Sequence, residues 1–141
     1  MRLRSAYGGR VEKATQRLRD SVREPVTRHV VLPAPREQVW RALTSLDLLS
    51  GWLGEVVELE ARPGGSVVVR EEGGSIRRGL VERVEPGRSL VLRWRRLAAA
   101  GGSLEVGEAT RVAFELADEG SGTRLTVTEE PATLVASRAG S

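Results

Sequence analysis

Residues 27–44 read Thr27-Arg28-His29-Val30-Val31-Leu32-Pro33-Ala34-Pro35-Arg36-Glu37-Gln38-Val39-Trp40-Arg41-Ala42-Leu43-Thr44. Thr27 to Leu32 is rich in β-branched residues and predicts a strand. Pro33 and Pro35 end it, because proline lacks the N–H that a ladder needs. Pro35 suits the first turn of a helix, and Val39, Trp40 and Leu43 give that helix one apolar face. Ser45 is a cap for a second short helix, with Asp47 in its first turn and Leu46, Leu49 and Trp52 facing inward.

Downstream the pattern changes. Short β-rich runs at Val56–Ala61, Val67–Glu71, Ile76–Val84, Leu90–Leu97, Thr110–Leu116 and Thr123–Glu129 are separated by glycine and proline turns. Spacings this short suit antiparallel neighbours. Leu90, Leu92 and Trp94 alternate with Val91, Arg93 and Arg95. Val112, Phe114 and Leu116 alternate with Arg111, Ala113 and Glu115, and Leu125 and Val127 with Arg124, Thr126 and Thr128. One sheet face is therefore apolar and the other charged and solvated, with Arg93, Arg95, Arg111 and Arg124 paired across strands to glutamates. Ala98–Gly107, small-residue and glycine-rich, reads as a loop. On Ile76–Val84 the positions Arg78, Leu80 and Glu82 share a side, which requires a bulge or a polar pocket pair.

Upstream, Val11, Ala14, Leu18 and Val22 recur at helical spacing within 10–22, between Gly8-Gly9 and Pro25. That stripe is thin, so the helix needs a surface to lie on. The 141 residues carry a net charge of +3, but residues 1–28 hold eight basic groups against three acids and residues 29–141 fourteen against sixteen. A basic arm thus precedes a near-neutral domain, and a nucleic-acid footprint over the body is not expected. The expected division is an arm at 1–25, a domain at 26–131 and a tail at 132–141.

Composition excludes several chemistries. There is no cysteine and one histidine, His29, which removes thiolate catalysis, disulfides and two-histidine metal sites. No apolar run reaches the roughly 18–20 residues that a bilayer-spanning helix needs, so no membrane association is expected. Residues 1–20 contain positive charge but no apolar signal-peptide core, so the expected location is the cytoplasm. Gly64-Gly65-Ser66, Gly73-Gly74-Ser75 and Gly101-Gly102-Ser103 do not continue into a hydrolase elbow, and no P-loop is present. No cofactor and no metal are expected.

The runs Val30 to Thr44, Leu49-Ser50-Gly51-Trp52, Arg62-Pro63-Gly64-Gly65, Gly79 to Pro86 followed by Leu90 to Trp94, and Gly122 to Thr128 resemble, in this order, the START-like or SRPBCC superfamily. The branch they are most similar to is that of the activator of the ninety-kilodalton heat-shock-protein ATPase. The likeness extends over about residues 26–130. It implies an α+β helix-grip fold, in which a seven-stranded curved antiparallel sheet closes around a long C-terminal helix over an apolar cavity. It also implies binding of lipids, polyketides or other hydrophobic small molecules, with cyclase activity in some members.

One departure bears on that expectation. Only eleven residues follow Glu130, so the C-terminal helix is expected to be short or absent, and the apolar sheet face to stand open. The helix at 10–22 either covers that face, in cis or across a dimer, or is a solvated arm. The expected ligand-binding residues are Trp52, Leu92, Trp94, Phe114, Val127 and Glu129, with no catalytic residue assigned. Alternation carries Glu129 inward with Leu125 and Val127, but its place at the end of a strand makes the sheet's rim the favoured reading. His29 is expected to be structural. Three functions stay open: non-catalytic binding of a hydrophobic small molecule, a protein-interaction module working through the open face or the basic helix, and, weakest, a cyclase-like enzyme using Glu129 and an arginine.

Overall fold

The computed structural model describes residues 24–46, 50 and 54–132. They form strand β1 (Val26–Leu32), helix α1 (Arg36–Leu43), and strands β2 (Glu55–Leu59), β3 (Ser66–Arg70), β4 (Ile76–Glu85), β5 (Ser89–Ala100), β6 (Ser103–Val106), β7 (Thr110–Glu119) and β8 (Gly122–Pro131). All strand pairs are antiparallel, in the order β1-β8-β7-β5-β4-β3-β2, with β6 on β5. The architecture is the α+β arrangement expected, with one strand more. The expected loop at Ala98–Gly107 is instead a hairpin in which Ala98 faces Glu105 and Ala100 faces Ser103. Gly101 and Gly102 have φ of +56° and +81°, the backbone that a two-residue turn between twisted strands requires.

Helix α1 starts after Pro35 and lies against β7 and β8. Glu37 in its first turn and Arg41 in its last suit the helix dipole, and the two pair across one turn at 3.1 Å. Val39, Ala42 and Leu43 are buried beneath it.

The alternating residues share one buried face as expected. Leu90, Leu92, Phe114 and Leu125 are fully buried and join Leu32, Val39 and Leu43 in one core. Each such side chain contributes about 1.5–3 kcal/mol over its exposed state. Leu92, Trp94, Phe114 and Val127 are all at most 4% exposed. The apolar face is therefore sheltered, as an apolar surface of this size requires. The helix at 10–22, most of the second short helix with Trp52, and the tail beyond Ala132 fall outside the described residues.

The bulge expected in β4 is present: the register against β5 shifts between Val81 and Arg83. Arg78, Leu80 and Glu82 do share a side, but as an outward row and not a buried polar pair. Arg78 and Leu80 are exposed, and Glu82 bonds to Arg111 across the outer face. Gly79 stands where β4 meets Trp94 of β5, and a Cβ there would sit 1.8 Å from the Arg93 carbonyl oxygen. Only glycine permits this approach. Arg93 and Arg111 both pair with Glu82, and Arg124 with Glu119, as the solvated-face reading expects, whereas Arg95 donates to the Gly107 carbonyl.

Candidate functional site

Glu129 continues the inward row of β8 and is fully buried, so the rim position is overturned in favour of the position that alternation gives. It stands opposite Val112 on one side and Val26 on the other. A carboxyl in such surroundings needs a partner. Arg77 of β4 supplies one: its Nη1 donates to Glu129 Oε2 at 3.3 Å. Arg77 points inward because it shares strand parity with Gly79 and Val81. Its guanidinium lies 5.2 Å from the centroid of the Trp94 ring, a cation–π contact that stacks charge on the apolar wall.

A second carboxylate completes the cluster. Glu71 follows β3 and is 8% exposed. Its Oε2 accepts from Arg77 Nε at 3.3 Å, and its two oxygens accept from Arg96 Nε at 2.8 Å and Nη2 at 3.2 Å. The Ser75 hydroxyl donates to Glu71 Oε1 at 3.1 Å. The result is a line of alternating charges, Arg96, Glu71, Arg77 and Glu129, running from a half-exposed guanidinium to a core carboxyl.

The two carboxyls differ in proton affinity. Burial raises Glu129 above its ordinary value, and the Arg77 charge only partly opposes this. Burial also acts to raise Glu71, but hydrogen bonds from Arg96 and Ser75 and the charges of Arg77 and Arg96 outweigh it, so Glu71 lies below the usual carboxylate range. The Trp94 indole N–H and the Thr110 hydroxyl favour the charged form of Glu129. Yet neither Glu129 Oε1 nor Trp94 Nε1 reaches a hydrogen bond of ordinary geometry, although both are buried. Glu129 and Trp94 therefore lie close enough to interact without either reaching a full hydrogen bond, which leaves both able to accept a better-placed partner.

Leu92, Trp94, Phe114, Val127 and Glu129 all lie in the buried interior, as the sequence reading groups them. Trp52 is outside the described residues. Arg77, Glu71 and Arg96 were missed. The signal for Arg77 was parity, since it shares the side of Val81, an apolar position. Glu71 sat at the end of a strand pattern, where nothing in the sequence separates inward from outward. His29 is exposed on β1, a surface position. Among the described residues no group of three His, Cys, Asp or Glu is placed to hold a metal ion. None of the described helices is long and apolar enough to cross a membrane.

The curved antiparallel sheet, the helix after its first strand and a buried polar cluster on an apolar face define a START-like domain of the helix-grip kind. The chain belongs to the family of activator of Hsp90 ATPase homolog 1-like proteins, whose model matches residues 33–139. Protein MLL2253 from Mesorhizobium loti is 24% identical, with a TM-score of 0.65 and 76% of each chain covered. DynU16, encoded in the dynemicin biosynthetic locus, is 26% identical with a TM-score of 0.64; the match covers 83% of this chain but 42% of DynU16. The Aha1 protein from Colwellia psychrerythraea, a dimer, is 21% identical with a TM-score of 0.56, covering 76% of this chain and 75% of that one. No curated protein matches significantly.

Proposed function

We propose that the chain binds a hydrophobic small molecule bearing one hydrogen-bonding group, and does so without chemical change. The observation that carries this reading is the pair of buried polar atoms without hydrogen bonds, Glu129 Oε1 and Trp94 Nε1, on a face otherwise built from Leu92, Phe114 and Val127. Buried polar groups are normally satisfied, and unsatisfied ones on an apolar wall suit a ligand hydroxyl or carbonyl. The Glu129 carboxyl accepts from a hydroxyl when charged and donates to a carbonyl when protonated. The similarity to DynU16, from a biosynthetic locus, is in keeping with a small-molecule role.

The test uses full-length protein. Native mass spectrometry of freshly purified chain should show a bound adduct, and titration with 2-naphthol should quench tryptophan fluorescence saturably. Glu129→Gln should weaken that response about tenfold, the size of one hydrogen bond to a charged or strongly polar group. An adduct-free mass together with a linear, unsaturable response would overturn the reading.

A protein-interaction role is the second reading. It is favoured by Leu104 and Val106, which are 65% and 56% exposed on the β5–β6 hairpin, and by the dimeric state of the Colwellia homolog. Leu104→Ser with Val106→Ser should then abolish self-association in analytical ultracentrifugation and leave 2-naphthol binding intact. A cyclase-like activity would rest on the Arg77–Glu129 pair, the deeper of the two enclosed contacts that Arg77 makes with a carboxylate.

A further inference from the structure

The outer side of β4 and β5 carries a feature that the inner site does not explain. Arg78 stands directly opposite Arg95 in the ladder, and the neighbouring outward position on β5 is Arg93. Like charges placed opposite one another across a ladder destabilise it. Elsewhere on this sheet such pairs are neutralised: Arg77 and Arg96 by Glu71, and Arg93 and Arg111 by Glu82. Arg78 and Arg95 have no carboxylate between them. Arg95 donates to the Gly107 carbonyl at 3.1 Å, and Arg78 has neither a hydrogen bond nor an ion pair among the described residues. The Arg93 contact with Glu82, at 3.9 Å, is long.

Arg78, Arg93 and Arg95 line an open hollow of about 260 Å³ together with Gly79, Leu80, Trp94 and Ala109. Leu80, 43% exposed, gives one side an apolar surface. A planar carboxylate is satisfied by one guanidinium fork, whereas a tetrahedral phosphate presents oxygens in several directions and engages two or three. The hollow has room beyond the anion for a small apolar group against Leu80.

We propose that this hollow is a binding site for a phosphate-bearing small molecule, held by Arg78, Arg95 and Arg93. The site is independent of the ligand reading of the inner face. An uncompensated arginine pair is costly when empty and is stabilised by a bound dianion, so occupancy and fold stability are linked.

The experiment is a titration of the full-length chain with inorganic phosphate at low salt, followed by amide and arginine Nε NMR shifts, with sodium chloride at equal ionic strength as the control. Saturable shifts should gather on Gly79, Leu80, Arg93, Arg95 and Ala109. Arg78→Gln should weaken binding at least tenfold, while Arg124→Gln, whose arginine is paired elsewhere, should leave it unchanged. Without phosphate, Arg78→Gln should raise the Tm by about 1–2 °C through relief of repulsion, which also shows that the variant folds. Shifts identical in chloride and phosphate, or phosphate affinity unaltered in Arg78→Gln, would overturn the proposal. Co-sedimentation with phosphatidic acid vesicles that depends on Arg78, without saturable phosphate shifts, would overturn the assignment to a soluble ligand.

Discussion

Two arginine pairs follow one another along the same ladder, Arg77 opposite Arg96 and Arg78 opposite Arg95, and they meet opposite fates. The first faces inward, and Glu71 and Glu129 reach it from the β3–β4 turn and from β8. The second faces outward and meets no acid. Local sequence is nearly the same for both. What separates them is the two-residue period of a strand, which sends one arginine to a buried cluster and its neighbour to water. For these two pairs, charge compensation is thus decided by the face on which each arginine stands.

The strongest way to break the inner half of that comparison is Arg77→Ala. It leaves Glu129 fully buried without its cation, and should cost about 3–5 kcal/mol in urea unfolding. Arg77→Met, which keeps the stem, should also be destabilising unless paired with Glu129→Leu, and the double variant should recover most of the loss. Recovery places the energy in the unpaired charge; no recovery would place it in the stacking of Arg77 on Trp94.

Gly79→Ala comes next. The added Cβ would meet the Arg93 carbonyl at 1.8 Å, so β4 and β5 must separate, at about 1–3 kcal/mol. Because that separation also displaces Arg93 and Arg95 relative to Arg78, the same variant should reduce phosphate shifts in the outer hollow.

The two carboxyls flanking Arg77 should give pH dependences of opposite sign. Glu129 in the fold lies above its ordinary value of 4.5. Below 4.5 both folded and unfolded forms hold the proton, and its contribution is fully present. As pH rises from 4.5 through the raised value, the unfolded chain loses the proton first and stability falls. Glu71 lies below 4.5, so its contribution is present above that pH and is lost as pH falls through the lowered value. Calorimetric stability of the wild type minus that of Glu129→Gln should therefore decline with rising pH, and minus that of Glu71→Gln should increase. Equal slopes would show that the cluster titrates as one unit. The smallest effect belongs to the outer surface: Arg124→Gln breaks a half-exposed pair with Glu119 and should change stability by about 0–1 kcal/mol.

The two faces were legible in the sequence because Leu90, Leu92, Trp94, Val112, Phe114, Leu125 and Val127 alternate without interruption, and burial on one side requires that pattern. Glu129 was carried inward by the same alternation, and only the habit of strand ends reaching water argued against it. The β5–β6 hairpin was hidden because three alanines carry little strand preference, although Gly101-Gly102 between them is itself a hairpin turn signal. The role of Arg77 was not legible. Its partners are six and fifty-two positions away, and only the pairing of β4, β5, β7 and β8 brings them together.

Strand β1 is zipped to β8 from Val26 opposite Glu129 to Leu32 opposite Thr123. A chain emerging from the ribosome therefore makes its first strand long before the last one exists to receive it. Until Thr123 is synthesised, Leu32 has no strand to pair with, and until Glu129 follows, Arg77 lacks its core carboxylate. Such far-separated contacts slow folding and leave oily segments uncovered in the meantime. Nascent chains of this protein should for that reason engage holding chaperones through most of translation, and a stalled chain ending before β8 should be degraded rather than stored.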